Sequence, residues 1–240
     1  MNKKLLVVGD VHLKLTEAIG IFEKYHDTHK IIFMGDHFDD FGDSVEKTVL
    51  MAKFVKEMLN NENVICLWGN HDIPYRYSQL NCPGFTPEKN EAINSVITVD
   101  DWNKFKFFHY ENGYYFSHAG ITNQWFSNPV TGVTLEGIQK IIDGAVIELE
   151  SGGVPACLWA ADRFRGGSSK KGGLLWNDWR NSDLIPNMKQ IMGHTPLHKI
   201  QRLIDSVVHS TIINVDCHLR EVLEIDEDGV NRIIASPHTL

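Results

Sequence analysis

The sequence predicts an α/β fold in which helices flank mixed β-sheets. In the first third of the chain, three short apolar runs rich in β-branched residues alternate with amphipathic stretches, giving the order strand, helix, strand, helix, strand. This order is typical of a parallel sheet covered by helices. Later apolar runs follow one another with only turns between them, which indicates antiparallel strands as well.

Three amino-terminal strands are predicted at 4–8 (KLLVV), 30–34 (KIIFM) and 63–68 (NVICLW). Each run is continuously apolar, as expected for strands that are buried on both faces. A helix is predicted between the second and third strands, with apolar residues at 45, 49, 52, 55 and 59 and with Asp43 or Ser44 as its cap. A weaker helical pattern lies between Leu13 and Tyr25.

The rest of the chain adds a hairpin, a helix and a group of carboxyl-terminal strands. The runs at 104–110 and 113–120 meet at Glu-Asn-Gly, a plausible hairpin turn. A helix is predicted over 134–151 with Thr134 as its N-cap, and strands separated by turns are predicted over 211–236. The glycine-, serine- and lysine-rich segment 163–173 lacks the spacing of a phosphate-binding loop, and its composition predicts a mobile surface loop.

Length and charge limit the classes of function. With 240 residues we expect one domain over 1–240, with an insertion at about 121–175 that shapes the substrate side. The net charge of −8 argues against a duplex nucleic-acid partner, which would require a basic face. No stretch approaches the ~20 apolar residues of a membrane span, so no membrane partner is expected. The four cysteines form no CxxC pair, which indicates reduced thiols and a cytoplasmic protein.

Polar residues follow each of the three amino-terminal strands, directly after a glycine. The clusters are GDVH at 9–12, GDHFDD at 35–40 and GNHD at 69–72. Because the carboxyl ends of parallel strands face one crevice, these clusters should converge in space. Two histidines, His118 and His194, follow later apolar runs in the same way. One such cluster alone would indicate a turn or a core histidine, but five together indicate a site.

The converging residues form a set of oxygen and imidazole ligands without a thiolate. This set suits two divalent cations that share a carboxylate, which is the usual machinery for displacement at phosphorus. Manganese is favoured, with iron, zinc, nickel or cobalt as alternatives. The candidate ligands are Asp10, His12, Asp36, Asn70, His118 and His194.

In their order along the chain, GDVH, GDHFDD, GNHD, SHAGI and GHTP resemble the five motifs of calcineurin-like metallophosphoesterases. GGLLWNDW at 172–179 is similar to an element of the phosphoprotein phosphatase branch, which includes bacterial and phage serine/threonine phosphatases. SHAGITNQW at 117–125 is similar to a stretch of bacterial symmetrical diadenosine tetraphosphatases. The resemblance implies an α/β/β/α sandwich with mixed central sheets.

The resemblance also implies roles for single residues. Asp10 and His12 would hold the first metal, Asp36 would bridge both metals, and Asn70, His118 and His194 would complete the second. His71 would be the general acid, and Asp39 would be the carboxylate that orients it. The reaction would be hydrolysis of a phosphomonoester by a hydroxide that bridges the two metals, because the metals lower the pKa of bound water. The partner would be a phosphorylated protein, nucleotide or small phosphoester.

One position departs from the family pattern. Asp40 stands where the phosphoprotein phosphatase branch has an arginine that grips the phosphate. Arg163, Arg165 or Arg180 could replace this arginine as the substrate-binding cation, and Asp40 could also be a solvated turn residue.

The alternatives to a monoesterase therefore stay open. They are a dinucleoside polyphosphate hydrolase, a phosphodiesterase, and a module that binds metal and phosphate without catalysis.

Overall fold

The computed structural model describes residues 3–40, 43–125 and 134–237 of the chain. The strands in this part are β1 Lys4–Val8, β2 His29–Phe33, β3 Val64–Cys66, β4 Phe108–Glu111, β5 Tyr114–Ser117, β6 Lys189–Met192, β7 Gln201–Asp205, β8 Ser210–Asn214, β9 Glu221–Ile225 and β10 Asn231–Ala235. The α-helices are α1 Leu15–Tyr25, α2 Val45–Leu59, α3 Pro87–Asn94, α4 Val99–Trp102, α5 Leu135–Glu150 and α6 Ala156–Trp159.

The first sheet has the strand order β10-β9-β1-β2-β3. Strands β1, β2 and β3 are parallel, as the alternation of strands and helices predicts. Strands β9 and β10 extend the sheet in antiparallel fashion from β1. The carboxyl ends of β1, β2 and β3 therefore lie at one edge of this sheet, which confirms the basis for expecting their polar residues to converge.

The second sheet has the order β4-β5-β6-β8-β7, with β5, β6 and β8 parallel. The predicted hairpin is confirmed in β4 and β5, whose turn places Asn112 at φ 49° and Gly113 at φ 80°. These positive φ angles match the twist of two antiparallel strands, and glycine adopts them without strain.

The two sheets pack face to face, and helices cover the first sheet on its outer face. Along β1, Leu5 and Val7 join a buried cluster with Phe116 and Ile213 of the second sheet. Their neighbours Leu6 and Val8 point to the opposite face and join the cluster that contains side chains of α1 and α2. Because successive strand residues alternate between faces, one apolar run serves both layers, and the mixed-sheet sandwich with flanking helices is confirmed.

Most helix predictions are confirmed within one or two residues. Helix α2 is capped by Ser44 rather than Asp43, and Thr134 caps α5 as expected. The sequence gives no clear signal for helix α3, because PEKNEAIN is polar, and in the structure this helix buries only Lys89 and Ile93. Its start is set by the Thr86 cap and by proline at the first helical position.

The segment 163–173 makes more contacts than its composition predicts. Arg163–Arg165 form a 3-10 helix capped by the carboxylate of Asp162, and Lys171 forms an ion pair with Asp183 at 2.7 Å. No helix in the described residues is long and apolar enough to span a bilayer.

Candidate metal centre and active site

Five strands deliver the predicted ligands to one edge of the sandwich. Asp10, Asp36 and Asn70 follow β1, β2 and β3, while His118 and His194 follow β5 and β6. All five side chains are buried. The strand-end argument therefore predicts correctly that these residues meet, even though they come from two different sheets.

Glycines let the ligand loops approach one another. A Cβ atom on Gly69 would overlap Asp36 Oδ1, and one on Gly193 would overlap Asp10 Oδ1. Asp36, His12 and His194 also have positive φ angles of 50°, 43° and 66°, a region that costs free energy for residues with a side chain. This combination of close backbone approach and strain at the same residues is typical of a functional site.

The first ligand group consists of Asp10, His12 and Asp36, whose ligand atoms lie within 4.8 Å of one another. The Nδ1 atom of His12 lies 2.8 Å from the carbonyl oxygen of Asp39. Since that carbonyl can only accept a hydrogen bond, Nδ1 carries the proton and Nε2 is left with a lone pair. Nε2 lies 3.6 Å from Asp36 Oδ2, so it points into the group.

The second ligand group consists of Asp36, His118 and His194, again within 4.8 Å. His118 donates from Nδ1 to the Met34 carbonyl at 2.8 Å. Its Nε2 lies 2.9 Å from Asn70 Oδ1 and 3.1 Å from His194 Nδ1. Asp36 belongs to both groups, which is the arrangement required of a ligand shared by two cations.

The electrostatics of the site fit bound cations. Burial and the neighbouring Asp216 raise the pKa of Asp10, so its negative charge is costly without a positive partner. Burial alone would lower the pKa of His118, but Asp36 and Asp10 raise it to about 9. These carboxylates thus favour positive charge at His118 Nε2, where Asn70 Oδ1 is also an acceptor. A divalent cation among these atoms would supply that charge.

His71 and Asp39 lie beside the ligand groups, as the resemblance implies. The Nδ1 atom of His71 is 3.9 Å from Asp39 Oδ2, and neither atom has a hydrogen-bond partner within the described part of the chain. Burial would lower the pKa of His71, but the carboxylates of Asp36 and Asp39 raise it to about 11. A proton is therefore held on His71 next to the ligands, and cations on Asp36 would offset part of this effect.

A cleft of about 360 Å³ opens beside these residues. His12, His71 and Asp39 line it, so the cleft contains both a ligand of the first group and the expected acid. It is also lined by residues that were not predicted to belong to the site, namely Lys14, Asp216 and His218. Asp216 lies two residues after the end of β8, as Asp10 does after β1, but no glycine precedes it, so the strand-end signal at this position is weaker.

Asp40 is exposed and also lines the cleft, together with Pro83, Gly84 and Pro196. The residue that replaces the expected arginine therefore faces the space beside His71. A carboxylate at this position adds negative charge to the lining of the cleft.

None of the three candidate arginines lines this cleft. Arg165 donates from Nη2 to the His194 carbonyl at 2.7 Å and to Thr195 Oγ1 at 2.8 Å. Its Nε is 3.0 Å from Asp178 Oδ2, and Arg180 forms two hydrogen bonds with the same carboxylate. Arg163 is exposed. Of the three, Arg165 is thus the one in direct contact with a ligand residue.

A larger groove of about 900 Å³ lies elsewhere on the molecule, between α5 and the aromatic side chains of Trp68, Trp102 and Phe105. None of the predicted metal ligands lines it. The smaller cleft, which His12 and His71 line, is therefore the one that belongs to the candidate chemistry.

Comparison with known protein families gives one match over most of the sequence. Residues 3–216 match the model of the calcineurin-like phosphoesterase family. The matched range contains all six candidate ligands, together with His71 and Asp39. A comparison with curated proteins gave no significant match.

Among the solved structures that this chain resembles are two phosphatases. One is a cold-active protein-tyrosine phosphatase of the psychrophile Shewanella sp., at 16% identity and a TM-score of 0.59, covering 97% of this chain and 80% of that one. The other is a protein serine/threonine phosphatase from Saccharomyces cerevisiae, at 15% identity and a TM-score of 0.54, covering 98% of this chain and 80% of that one. At these identities the likeness shows a common fold and no more.

Proposed function

Since the chain belongs to the calcineurin-like phosphoesterase family, we propose that it is a metal-dependent phosphatase of the phosphoprotein phosphatase type that hydrolyses phosphomonoesters. The observation that carries this proposal is the pair of ligand groups that share Asp36, with His71 beside them. Shared carboxylates of this kind support displacement at phosphorus, and a histidine next to them supplies the proton that a leaving alkoxide needs.

Asp10 and His12 would hold one divalent cation, Asn70, His118 and His194 would hold a second, and Asp36 would contact both. The bound cations would lower the pKa of water and offset the charge of the phosphoryl oxygens. The oxygen and imidazole ligands favour manganese, with iron, zinc, nickel and cobalt as alternatives.

The remaining steps belong to side chains of this chain. His71 donates its proton to the leaving oxygen of the ester, and Asp39 holds the imidazole ring in the orientation that this transfer needs. Arg165 is proposed to contact the phosphoryl oxygens, since its guanidinium already donates a hydrogen bond to the carbonyl of the ligand residue His194. Arg180 and Arg163 are proposed as further substrate-binding cations. Residues 121–175 are proposed to shape the substrate side, although 126–133 lie outside the described residues.

A phosphodiesterase is the second candidate, and Asp40 is the observation that favours it. Asp40 lines the cleft next to His71 and puts negative charge where the branch has an arginine. A phosphodiester carries one negative charge, whereas a monoester dianion carries two, so the repulsion is smaller for the diester.

Turnover measured after addition of manganese tests the proposal. The substrates would be 4-nitrophenyl phosphate, bis(4-nitrophenyl) phosphate, a phosphopeptide and diadenosine tetraphosphate, each with and without a chelator. We expect the highest kcat/KM with a monoester and loss of turnover with the chelator. A preference for the bis-aryl ester would support the diesterase, and a preference for the dinucleotide would support a polyphosphate hydrolase. Metal binding without turnover of any substrate would refute the enzymatic proposal.

The free cysteines agree with the proposed cytoplasmic location. Cys66, Cys82, Cys157 and Cys217 are all thiols, and burial raises the pKa of Cys217 to about 11. Free thiols do not require an oxidising compartment.

A further inference from the structure

The two carboxylate oxygens of Asp39 have different surroundings. Oδ1 accepts hydrogen bonds from the Tyr75 hydroxyl at 2.6 Å and from Lys89 Nζ at 2.9 Å. Oδ2 faces His71 Nδ1 at 3.9 Å and has no hydrogen-bond partner among the residues that the structure describes. Two hydrogen bonds thus fix Oδ1, while Oδ2 is directed at His71.

The contact between Lys89 and Asp39 requires burial of the lysine side chain, which costs free energy. The Lys89 side chain is only 6% exposed, and burying an ammonium group is unfavourable unless it is paired and hydrogen-bonded. The pairing consists of Asp39 Oδ1 and, at 3.0 Å, the carbonyl oxygen of Gly84. The Thr86 cap fixes the first turn of α3 through the backbone nitrogen of Lys89, so the lysine starts from a rigid position.

Tyr75 and Gly84 complete the enclosure of Asp39. Tyr75 is buried, and its hydroxyl forms the shorter of the two hydrogen bonds to Oδ1. Burial and the Asp39 charge raise the pKa of the Tyr75 hydroxyl, so it keeps the proton that it donates. A Cβ atom on Gly84 would lie 3.0 Å from Asp39 Cβ and 3.1 Å from its Cγ, so glycine is what allows the loop to pack against the carboxylate.

We infer that Lys89 and Tyr75 are positioning residues that orient Asp39 so that its Oδ2 faces His71. This inference rests on the proposed function, in which His71 gives a proton to the leaving group. The two hydrogen bonds to Oδ1 hold the carboxylate against rotation, so Oδ2 is the Asp39 oxygen that faces His71 Nδ1. The imidazole ring then keeps Nε2 toward the cleft, and proton transfer depends on this alignment.

The test uses two aryl esters that differ in their need for the proton. Phenolate is a poor leaving group and needs protonation, whereas 4-nitrophenolate leaves without it. Lys89→Met removes the cation and keeps most of the volume, and Tyr75→Phe removes one hydroxyl. For each variant with manganese we expect kcat on phenyl phosphate to fall by about 10- to 100-fold, which is part of the roughly 10²- to 10⁴-fold that a general acid contributes, and kcat on 4-nitrophenyl phosphate to fall by less than about threefold.

Lys56→Met is the matched control, because Lys56 also bonds a backbone carbonyl, that of Val96, and pairs with a carboxylate, that of Asp101. It should leave the ratio of the two rates unchanged. Equal losses on both esters in the Lys89 and Tyr75 variants, or no loss on either, would overturn the inference. If Lys89→Met does not fold, Tyr75→Phe decides alone. A wild-type protein inactive on both esters would instead count against the proposed function.

Discussion

The backbone nitrogen of His71 donates a hydrogen bond to Oδ1 of Asp36 at 2.8 Å. This contact joins the expected proton donor to the carboxylate that both ligand groups share, and it leaves Asp36 Oδ2 directed toward His12 and His118. The loops after β2 and β3 are thereby held together at the point where the chemistry is proposed to occur. Substitutions at the two residues should therefore separate metal binding from proton donation.

Asp36→Asn is expected to remove metal binding and activity while the loop stays in place. The amide keeps an oxygen for the His71 nitrogen but lacks the charge that two cations require. Activity should fall about 10³-fold, because a metal ion contributes several kcal/mol to the transition state and about 1.4 kcal/mol is tenfold. Metal content by plasma mass spectrometry should fall with it. Asp143→Asn, on the exposed face of α5, is the control, and full metal content in Asp36→Asn would contradict the assignment.

His71→Asn should have the opposite pattern, with activity lost and metal content kept. The backbone hydrogen bond to Asp36 does not depend on the side chain, so the ligand groups should be undisturbed. Loss of a general acid lowers kcat by about 10²- to 10⁴-fold on an ester with a poor leaving group. The measurement is kcat on phenyl phosphate together with metal stoichiometry. Loss of a metal ion in this variant would show that His71 acts as a ligand.

The sequence predicts which strand-end residues lie together, but it does not predict the residues that pack behind them. Asp10 and Asp36 follow strands whose apolar runs are unmistakable, and parallel strands must place such residues at one edge. Lys89 gives no such signal, because a lysine on a polar helix is normally solvated, and only the packing of α3 shows that it reaches Asp39. Asp72 is the last residue of the GNHD motif, and the sequence likewise indicates no role for its side chain.

In the structure, Asp72 ties the two central ligand loops together. Its Oδ1 accepts hydrogen bonds from the backbone nitrogens of His37 and Phe38, and its Oδ2 accepts one from Gly69. The backbone of one loop is thus bound to a side chain of the other. Such hydrogen bonds depend on the distance between the two loops in the folded protein, and the periodicity of apolar residues does not predict this distance.

The interactions of Glu224, which lies away from the site, predict how the stability of the fold depends on pH. Glu224 accepts hydrogen bonds from His29 at 2.9 Å and from Lys4 at 3.2 Å, and it pairs with Arg232 at 2.7 Å. Burial would raise the pKa of Glu224, but these partners lower it to about 2 from 4.5. Because the folded pKa is depressed, the stabilisation is present above about pH 4.5 and is lost as the pH falls toward 2.

Glu224→Gln should therefore be less stable than the wild type at neutral pH, by about 1–3 kcal/mol, since two of the three partners are largely exposed and screened. The difference should shrink as the pH falls below about 4.5. Urea unfolding at a series of pH values measures it, with Glu227→Gln in the β9–β10 turn as the control. A difference that stays constant down to pH 3 would contradict the assignment.

Arg165→Ala should weaken turnover of a monoester more than Arg163→Ala does. Arg165 contacts the His194 carbonyl and Thr195, whereas Arg163 is exposed. Loss of one charge-assisted contact with the phosphoryl group corresponds to about 1.5–3 kcal/mol, or roughly 10- to 150-fold in kcat/KM. Melting temperatures should be compared, because Arg165 also pairs with Asp178. Equal kcat/KM values for the two variants would show that Arg165 does not bind the substrate.

Asp40→Arg should shift the enzyme toward monoesters. Asp40 lies in the cleft next to His71, so an arginine there would replace repulsion of a phosphate dianion by a charge-assisted hydrogen bond. We expect kcat/KM for 4-nitrophenyl phosphate to rise about tenfold relative to bis(4-nitrophenyl) phosphate, since a hydrogen bond to a charged group contributes about 1.5 kcal/mol or more. Asp40→Asn removes the charge without adding a donor and should give a smaller change in the same direction. If both variants leave the ratio unchanged, Asp40 does not contact the substrate, and the choice between monoester and diester lies with other residues of the cleft.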